Sequence, residues 1–250
     1  MLAIARSARA RKLNGVVLCR GHEMAESIDA PGDALGEARE LAGYDRRHAA
    51  IFRAATELFL ANGFLGTSMD QIAAAARVSK ITIYKHFADK ESLFRQIVVT
   101  TVDEAADPVY AEVVALADSR DLEADLRDLA RRQLERVMQP QLLQLRRLVI
   151  GEASRFPDLG RIFYARGPGR TLEVLAATFT RLAGDGRLKL DDADLAAAHF
   201  NWLIMSIPLN RAMLTGDDEP PTAAELDRYA DTGVRAFLAA YGAQSDKEDR

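Results

Sequence analysis

The chain has 250 residues, 48% of them apolar and 28% charged, which is enough for a real core and comfortable for two domains. No run of about 18 apolar residues occurs, so no membrane span is expected. The single Cys19 excludes an internal disulfide framework and a cysteine-based zinc site, and suits a reducing cytoplasm. A net charge of −4 would speak against nucleic acid if it were evenly spread, and it is not.

Residues 1–22 carry five basic groups and no acidic one, and residues 23–45 carry seven acidic groups against Arg39 alone. Residues 46–97 hold eight basic groups against four acidic, whereas from residue 98 onward nineteen basic groups face twenty-six acidic. A cationic head on an acidic body is the asymmetry expected when one module meets phosphate and the other does not.

The first periodic segment, 46–62, repeats apolar groups at helical spacing through Ile51, Ala55, Leu58 and Phe59, and Gly63-Phe64 supplies its stop. A second helix starts at a capping-box pattern, either Thr67 with Asp70 or Ser68 with Gln71, and should bury Met69, Ile72, Ala73 and Ala76. Ser79 is the expected N-cap of a third helix ending at Phe87. Asp89 caps a fourth, running to about Ala105, that carries Leu93, Phe94, Ile97 and Val98, and Asp107-Pro108 marks a boundary after it. The second and third helices, joined by a short turn, have the build of a helix-turn-helix.

On the third helix, stepping about 100° per residue puts Ile83 and Phe87 on one face and Ile81, Thr82 and Lys85 on the opposite one, with Tyr84 and His86 on the flanks. An exposed Ile81 suits the thymine methyl in a major groove. Lys80, Lys85 and Lys90 suit phosphates, Tyr84 and His86 can donate to phosphate oxygens, and Thr67 marks a helix N-terminus that offers free N–H groups.

Downstream, helices are expected over 121–138, 141–156, 158–183, 191–214 and 222–241, punctuated by Pro140, Pro157, Gly184-Asp185-Gly186 and Pro220-Pro221. No strand pattern competes, so the fold class is all-α. The domain layout reads as an extension over 1–45, a DNA-binding head over 46–97, a regulatory and dimerisation body over 98–242 and a charged tail over 243–250. On the last helix Leu226, Ala230, Gly233, Val234, Phe237 and Tyr241 form one apolar stripe, with Gly233 small enough to admit a partner helix. The helix before it shows two faces, Leu195, His199, Trp202, Leu209 and Met213 on one and Phe200, Leu203, Ile207 and Leu214 on the other, and two apolar faces mean two neighbours. Candidate lining for an apolar cavity is Phe156, Phe163, Tyr164, Phe179, Trp202 and Met205, with His199 and Asn201 as polar partners.

The run from Ile51 to Phe94, with Ala54-Ala55, Leu58-Phe59, Gly63-Phe64, Thr67-Ser68-Met69, Ile72-Ala73, Val78-Ser79-Lys80, Tyr84, His86-Phe87 and Lys90-Glu91-Ser92-Leu93-Phe94, closely resembles the DNA-binding domain of the TetR (tetracycline-repressor-like) family. Residues Arg147 to Glu152, Phe156-Pro157-Asp158-Leu159 and Phe163-Tyr164 are similar to the ligand-sensing domain of its AefR-like branch. The resemblance implies a bacterial, cytoplasmic repressor that binds double-stranded DNA as a homodimer through a pseudopalindromic operator. It also implies pairing of the last two helices across the dimer, and release by a small apolar or amphipathic effector. Ile81 stands where family members often have a small residue, so the operator cannot be borrowed from a relative.

The first 45 residues lie outside both resemblances and are expected to be a disordered extension. Their basic half suits an arm along a minor groove or one folded back on the acidic half, and translation from Met24 would leave residues 1–23 unmade. The four histidines have no metal spacing, and no glycine-rich phosphate loop or nucleophile motif is present, so neither a metal, a cofactor nor an enzyme is expected. The rival reading is a helical protein-interaction module without sequence-specific DNA binding.

Overall fold

The computed structural model describes residues 31–216 and 221–243, with side chains from residue 43 onward. The readings made for the basic arm, for a start at Met24 and for the tail from residue 244 lie outside the described residues. The chain divides into two compact units, residues 1–43 and 44–250. Of the first, the structure describes only backbone in helical conformation from Pro31.

Helix α1 therefore spans Pro31–Asn62 and starts before residue 46, the expected beginning of the first periodic segment. Proline is tolerated in a first turn, and Ala34, Leu35, Glu37, Ala38, Arg39, Glu40, Leu41 and Ala42 are strong helix formers. Gly36 and Gly43, costing about 1 kcal/mol each relative to alanine, do not stop the propagation.

The head continues with α2 (Met69–Ala75) and α3 (Lys80–His86). Helix α4 spans Lys90–Ala115 and passes through Pro108 instead of ending before it. Pro108 removes one backbone donor, but Val102, Ala106, Val109, Tyr110 and Val113 keep one side of α4 buried across it, and that packing outweighs the lost bond. The expected boundary between residues 97 and 98 thus falls inside a continuous helix.

The body comprises α5 (Leu122–Val137), α6 (Pro140–Glu152), α7 (Pro157–Tyr164), α8 (Arg170–Gly184), α9 (Ala193–Thr215) and α10 (Ala223–Tyr241). The single helix expected over 158–183 is interrupted by a π turn, Ala165–Gly169, that holds Pro168, and the helix expected over 141–156 ends at Glu152. Among the described residues the only β pairing is one bridge between Leu188 and Gly242.

Two apolar clusters organise the second unit. One joins the head to the lower body: Ile51, Phe59, Phe64, Ile72, Ile83, Phe94 and Val98 pack with Leu145, Val149, Leu159 and Phe163. The other lies among α5, α8, α9 and α10 and is centred on Phe179, Phe200 and Phe237, whose rings meet at 5.1 to 5.6 Å.

Candidate nucleic-acid interface and effector cavity

The turn between α2 and α3 is set by backbone hydrogen bonds. The Val78 N–H donates to Ala73 O (3.0 Å) and the Arg77 N–H to Ala74 O (3.1 Å), the paired closure of a helix whose next residue is left-handed. That residue is Arg77, at φ 56°, a conformation glycine adopts without cost. No glycine or asparagine marks this position, and the result is an exposed arginine held at the elbow of the motif.

Of the two capping alternatives the structure takes Ser68 with Gln71: the Ser68 hydroxyl accepts from the Gln71 N–H (3.2 Å) and the Gln71 carboxamide accepts from the Ser68 N–H (2.8 Å). Thr67 precedes the cap, is buried, and donates to Leu58 O (3.1 Å) or Gly63 O (2.9 Å). Its hydroxyl therefore ties the end of α1 to the loop before α2.

Ser79 caps α3 as expected, accepting from the Thr82 N–H (3.1 Å), with the two hydroxyls 2.8 Å apart. Ile83 and Phe87 are buried, at 0% and 4% exposure, while Ile81 is 72% exposed and Tyr84 47%. Lys80 and Lys85 are exposed as well, with Lys80 paired to Asp70 of α2 at 2.8 Å. That exposed pair raises the Lys80 pKa, first through the Asp70 hydrogen bond, and a DNA phosphate can exchange with the carboxylate.

Two flanking residues sit otherwise than expected. His86 is half-buried beneath Tyr44, ring centroids 4.1 Å apart, and burial, followed by His48 and Arg47, lowers its pKa. Lys90 donates to Phe64 O and Thr67 O, both at 2.8 Å, and lies 4.2 Å from the centroid of the Phe64 ring. Burial and Arg155 lower its pKa. Lys90 thus clamps the loop before α2 and has one N–H left over.

Behind the head, α4 passes from one role to another along its length. Leu93, Phe94, Ile97 and Val98 complete the head core, and Val102, Ala105, Ala106 and Val109 line a cavity of about 610 Å³ counting its opening to solvent. Phe163, Trp202 and Met205 line it as expected, and so does Asn201. The other candidates lie elsewhere. Phe156 packs edge-on against Phe64 of the head (4.8 Å), Tyr164 is 55% exposed, and Phe179 is core. The His199 Nδ1 lies 2.6 Å from the Tyr241 hydroxyl. Aromatic residues at helical spacing do not reveal which side of a bundle they face. Polar lining residues that no sequence pattern marks are Gln133 on α5, Arg146 on α6 and Thr171 on α8.

The stripe assigned to the dimer contact is the inner face of α10. Leu226, Ala230, Gly233, Val234 and Phe237 are all buried within the protomer, and Tyr241 is half-buried with its ring 5.0 Å from Phe237. A Cβ on Gly233 would lie 3.0 Å from Ile204 Cγ1 and 3.3 Å from the Leu203 backbone, so the close approach that glycine permits is to α9 of the same chain. The face left open belongs to α9: Leu195, Trp202, Leu203, Ile207 and Leu214 are 40% to 84% exposed. The two faces read from the sequence are thus divided differently, with Phe200 and Leu209 inward and Leu195 and Trp202 outward.

Comparison with known proteins gives the same assignment for both halves. Residues 51–97 match the model for bacterial regulatory proteins of the tetR family, and residues 124–243 the C-terminal domain of AefR-like transcriptional repressors. A crystal structure described as a TetR-family transcriptional regulator from Mesorhizobium loti is 41% identical over 80% of this chain and 98% of that one, with a TM-score of 0.74. The flavonoid-responsive regulator FrrA is 32% identical over 80% of this chain and all of its own (100%), with a TM-score of 0.65. The HTH-type transcriptional repressor Rv3405c of Mycobacterium tuberculosis is 28% identical over 70% of this chain and 84% of its own. With an exposed reading helix on a capped helix-turn-helix and a helical body behind it, the chain belongs to the TetR family of DNA-binding transcriptional regulators, in its AefR-like branch.

Proposed function

We propose that the protein is a repressor that binds a pseudopalindromic operator as a homodimer and leaves it when a small amphipathic molecule enters the body. The observation that carries this is the double duty of α4, which supplies both the core of the reading head and one wall of the cavity. A ligand that shifts that wall shifts the head with it. Phe163 reinforces the link, since it belongs to the apolar cluster shared with the head and also lines the cavity. Repression is supported by the mycobacterial relative, a transcriptional repressor, and responsiveness to small molecules by FrrA, a flavonoid-responsive regulator.

The DNA contacts proposed are base readout by Ile81 and Thr82, phosphate contacts by Lys80, Lys85, Tyr84 and Arg77, and a secondary contact by His86 and the remaining N–H of Lys90. The dimer contact proposed is the exposed face of α9, because five large apolar side chains on one helix are costly to leave in water and two-fold pairing of such a face is self-complementary. Half-sites about one helical turn or more apart are expected.

The test is a mobility shift with the full chain on DNA flanking its gene, followed by calorimetry of any compound that raises its melting temperature. By linkage, a compound that releases DNA must bind the DNA complex more weakly than the free protein by the same factor. Equal affinities would show that the compound is no inducer.

A further inference from the structure

The cavity wall is apolar along α4, yet the lining holds one charged side chain, Arg146, and no carboxylate among the described lining residues. Nε of Arg146 is buried and has no hydrogen-bond partner in the protein, and its guanidinium lies over the Phe163 ring, 5.3 Å from the centroid. Nearby are two buried carboxamides, Gln133 and Asn201, at 4% and 5% exposure. The Gln133 Nε2 donates to the Asn201 Oδ1 (3.0 Å), and this leaves the Gln133 Oε1 buried and unpaired.

A half-buried guanidinium whose Nε is enclosed and unpaired is costly, and so is a buried carbonyl without a donor. Other arginines of the body show the ordinary solution: Arg136 pairs with Glu112 at 2.6 Å and Arg166 with Asp103 at 2.6 Å. The cavity instead presents a forked cation and an unpaired acceptor in the lining of one mainly apolar chamber. That donor and acceptor set complements a carboxylate carried on an apolar body, with a hydroxyl or amide N–H placed to reach Gln133.

We infer that the effector is an organic carboxylate with an aromatic or aliphatic body, its acid group bound by Arg146 and its body seated between Val102, Val109, Met205 and Leu209. This rests on the reading of the cavity as the effector site, and it narrows the chemistry of what that site takes. The acid group bridges α6, which carries Arg146, and the body presses on α4, so a bound acid couples cavity occupancy to the helix that holds the head.

The experiment uses three acids and their primary amides, 3-phenylpropanoate, cinnamate and decanoate, each titrated into the full-length protein and into Arg146→Gln. At least one acid should bind the wild type roughly 10- to 100-fold more tightly than its amide, the range of one charge-assisted pair. Arg146→Gln should level that pair. The ligand-free variant should melt no lower than the wild type, because it loses an unpaired charge. Amides that match the acids, a preference that survives in Arg146→Gln, or the failure of all three acids to bind would each overturn the inference. So would a ligand-free Arg146→Gln that melts several degrees lower, which would assign Arg146 to the packing of Phe163. The two levels separate on operator DNA: amides that release the operator leave the effector reading standing and remove only the carboxylate. Compounds that bind the cavity without changing operator affinity defeat the effector reading itself.

Discussion

Helices α3 and α10 each turn one apolar stripe inward, Ile83 with the adjoining Phe87 in the first and Leu226, Ala230, Gly233, Val234 and Phe237 in the second. On α3 the apolar residue left over is Ile81, exposed on the face opposite. On α10 nothing large is left over, because α5, α8 and α9 together take the whole stripe, and the surplus apolar surface appears on α9. A buried stripe tells that a helix has a neighbour and says nothing about whose neighbour it is. The side chains that folding leaves exposed carry the information about partners, and the partners proposed are DNA for Ile81 and a second protomer for Leu203, Ile207 and Leu214.

The largest effect expected from this contrast is on α9. Leu203→Glu with Ile207→Glu should convert the protein to a monomer and weaken operator binding at least ~100-fold, since each charge would have to be desolvated in the proposed interface and one head alone reaches one half-site. Sedimentation and mobility shift read the two consequences. A dimer that persists would move the interface elsewhere. Gly233→Ala is the counterpart on α10: its Cβ meets Ile204 and the Leu203 backbone, so the protein should lose about 1–3 kcal/mol of stability while remaining dimeric.

The clamp at the loop before α2 comes next. Lys90→Met leaves the carbonyls of Phe64 and Thr67 without their side-chain donor, and unfolding should show a loss of about 1–3 kcal/mol. If stability is unchanged and only the salt dependence of DNA binding falls, Lys90 acts through phosphate after all.

The head was more legible than the body for a physical reason. Its helices α2 and α3 are short, so the caps Ser68 and Ser79 fix them locally as Asp89 fixes the start of α4, and α3 has one face to bury and one to show. Even there, tertiary contacts were out of reach: nothing in the sequence tells that Lys90 bends back to carbonyls more than twenty residues earlier, or that Arg77 takes a left-handed turn. In the body every helix has two or more neighbours, and Phe156, Phe179 and Tyr164 share a spacing that fits a head contact, a core and an exposed surface equally well. Arg146 and Gln133 were invisible as a pair because they stand on different helices, and only the packing of α5 beside α6 and α9 brings them to one chamber.

A smaller effect should separate the residues on the exposed face of α3. Ile81→Ala should relax choice at one base pair per half-site by about 1 kcal/mol, the low end of the cost of a mismatched pair. Lys85→Ala should weaken all sequences alike and lower the salt slope by about 1. Selection from a randomised operator checks both, and an unchanged preference for Ile81→Ala would remove it from base readout.

His86 stands between the two cases, half in the core beneath Tyr44 and half at the proposed DNA face, and so it should give the smallest and most divided response. Its pKa is lowered by burial first and then by His48 and Arg47, so the folded head favours the neutral ring. The stability this contributes is present above the unfolded value, about 6.5 for histidine, and is lost as pH falls below that value towards the depressed folded one, because the unfolded chain takes the proton first. Thermal unfolding of the wild type should therefore decline more steeply below about pH 6.5 than that of His86→Gln. On operator DNA a phosphate beside the ring favours the protonated form, so the acid loss of stability should be smaller in the complex than in the free protein. A wild-type curve that runs parallel to the His86→Gln curve would place the ring in solvent, and equal acid sensitivity with and without DNA would remove His86 from the interface.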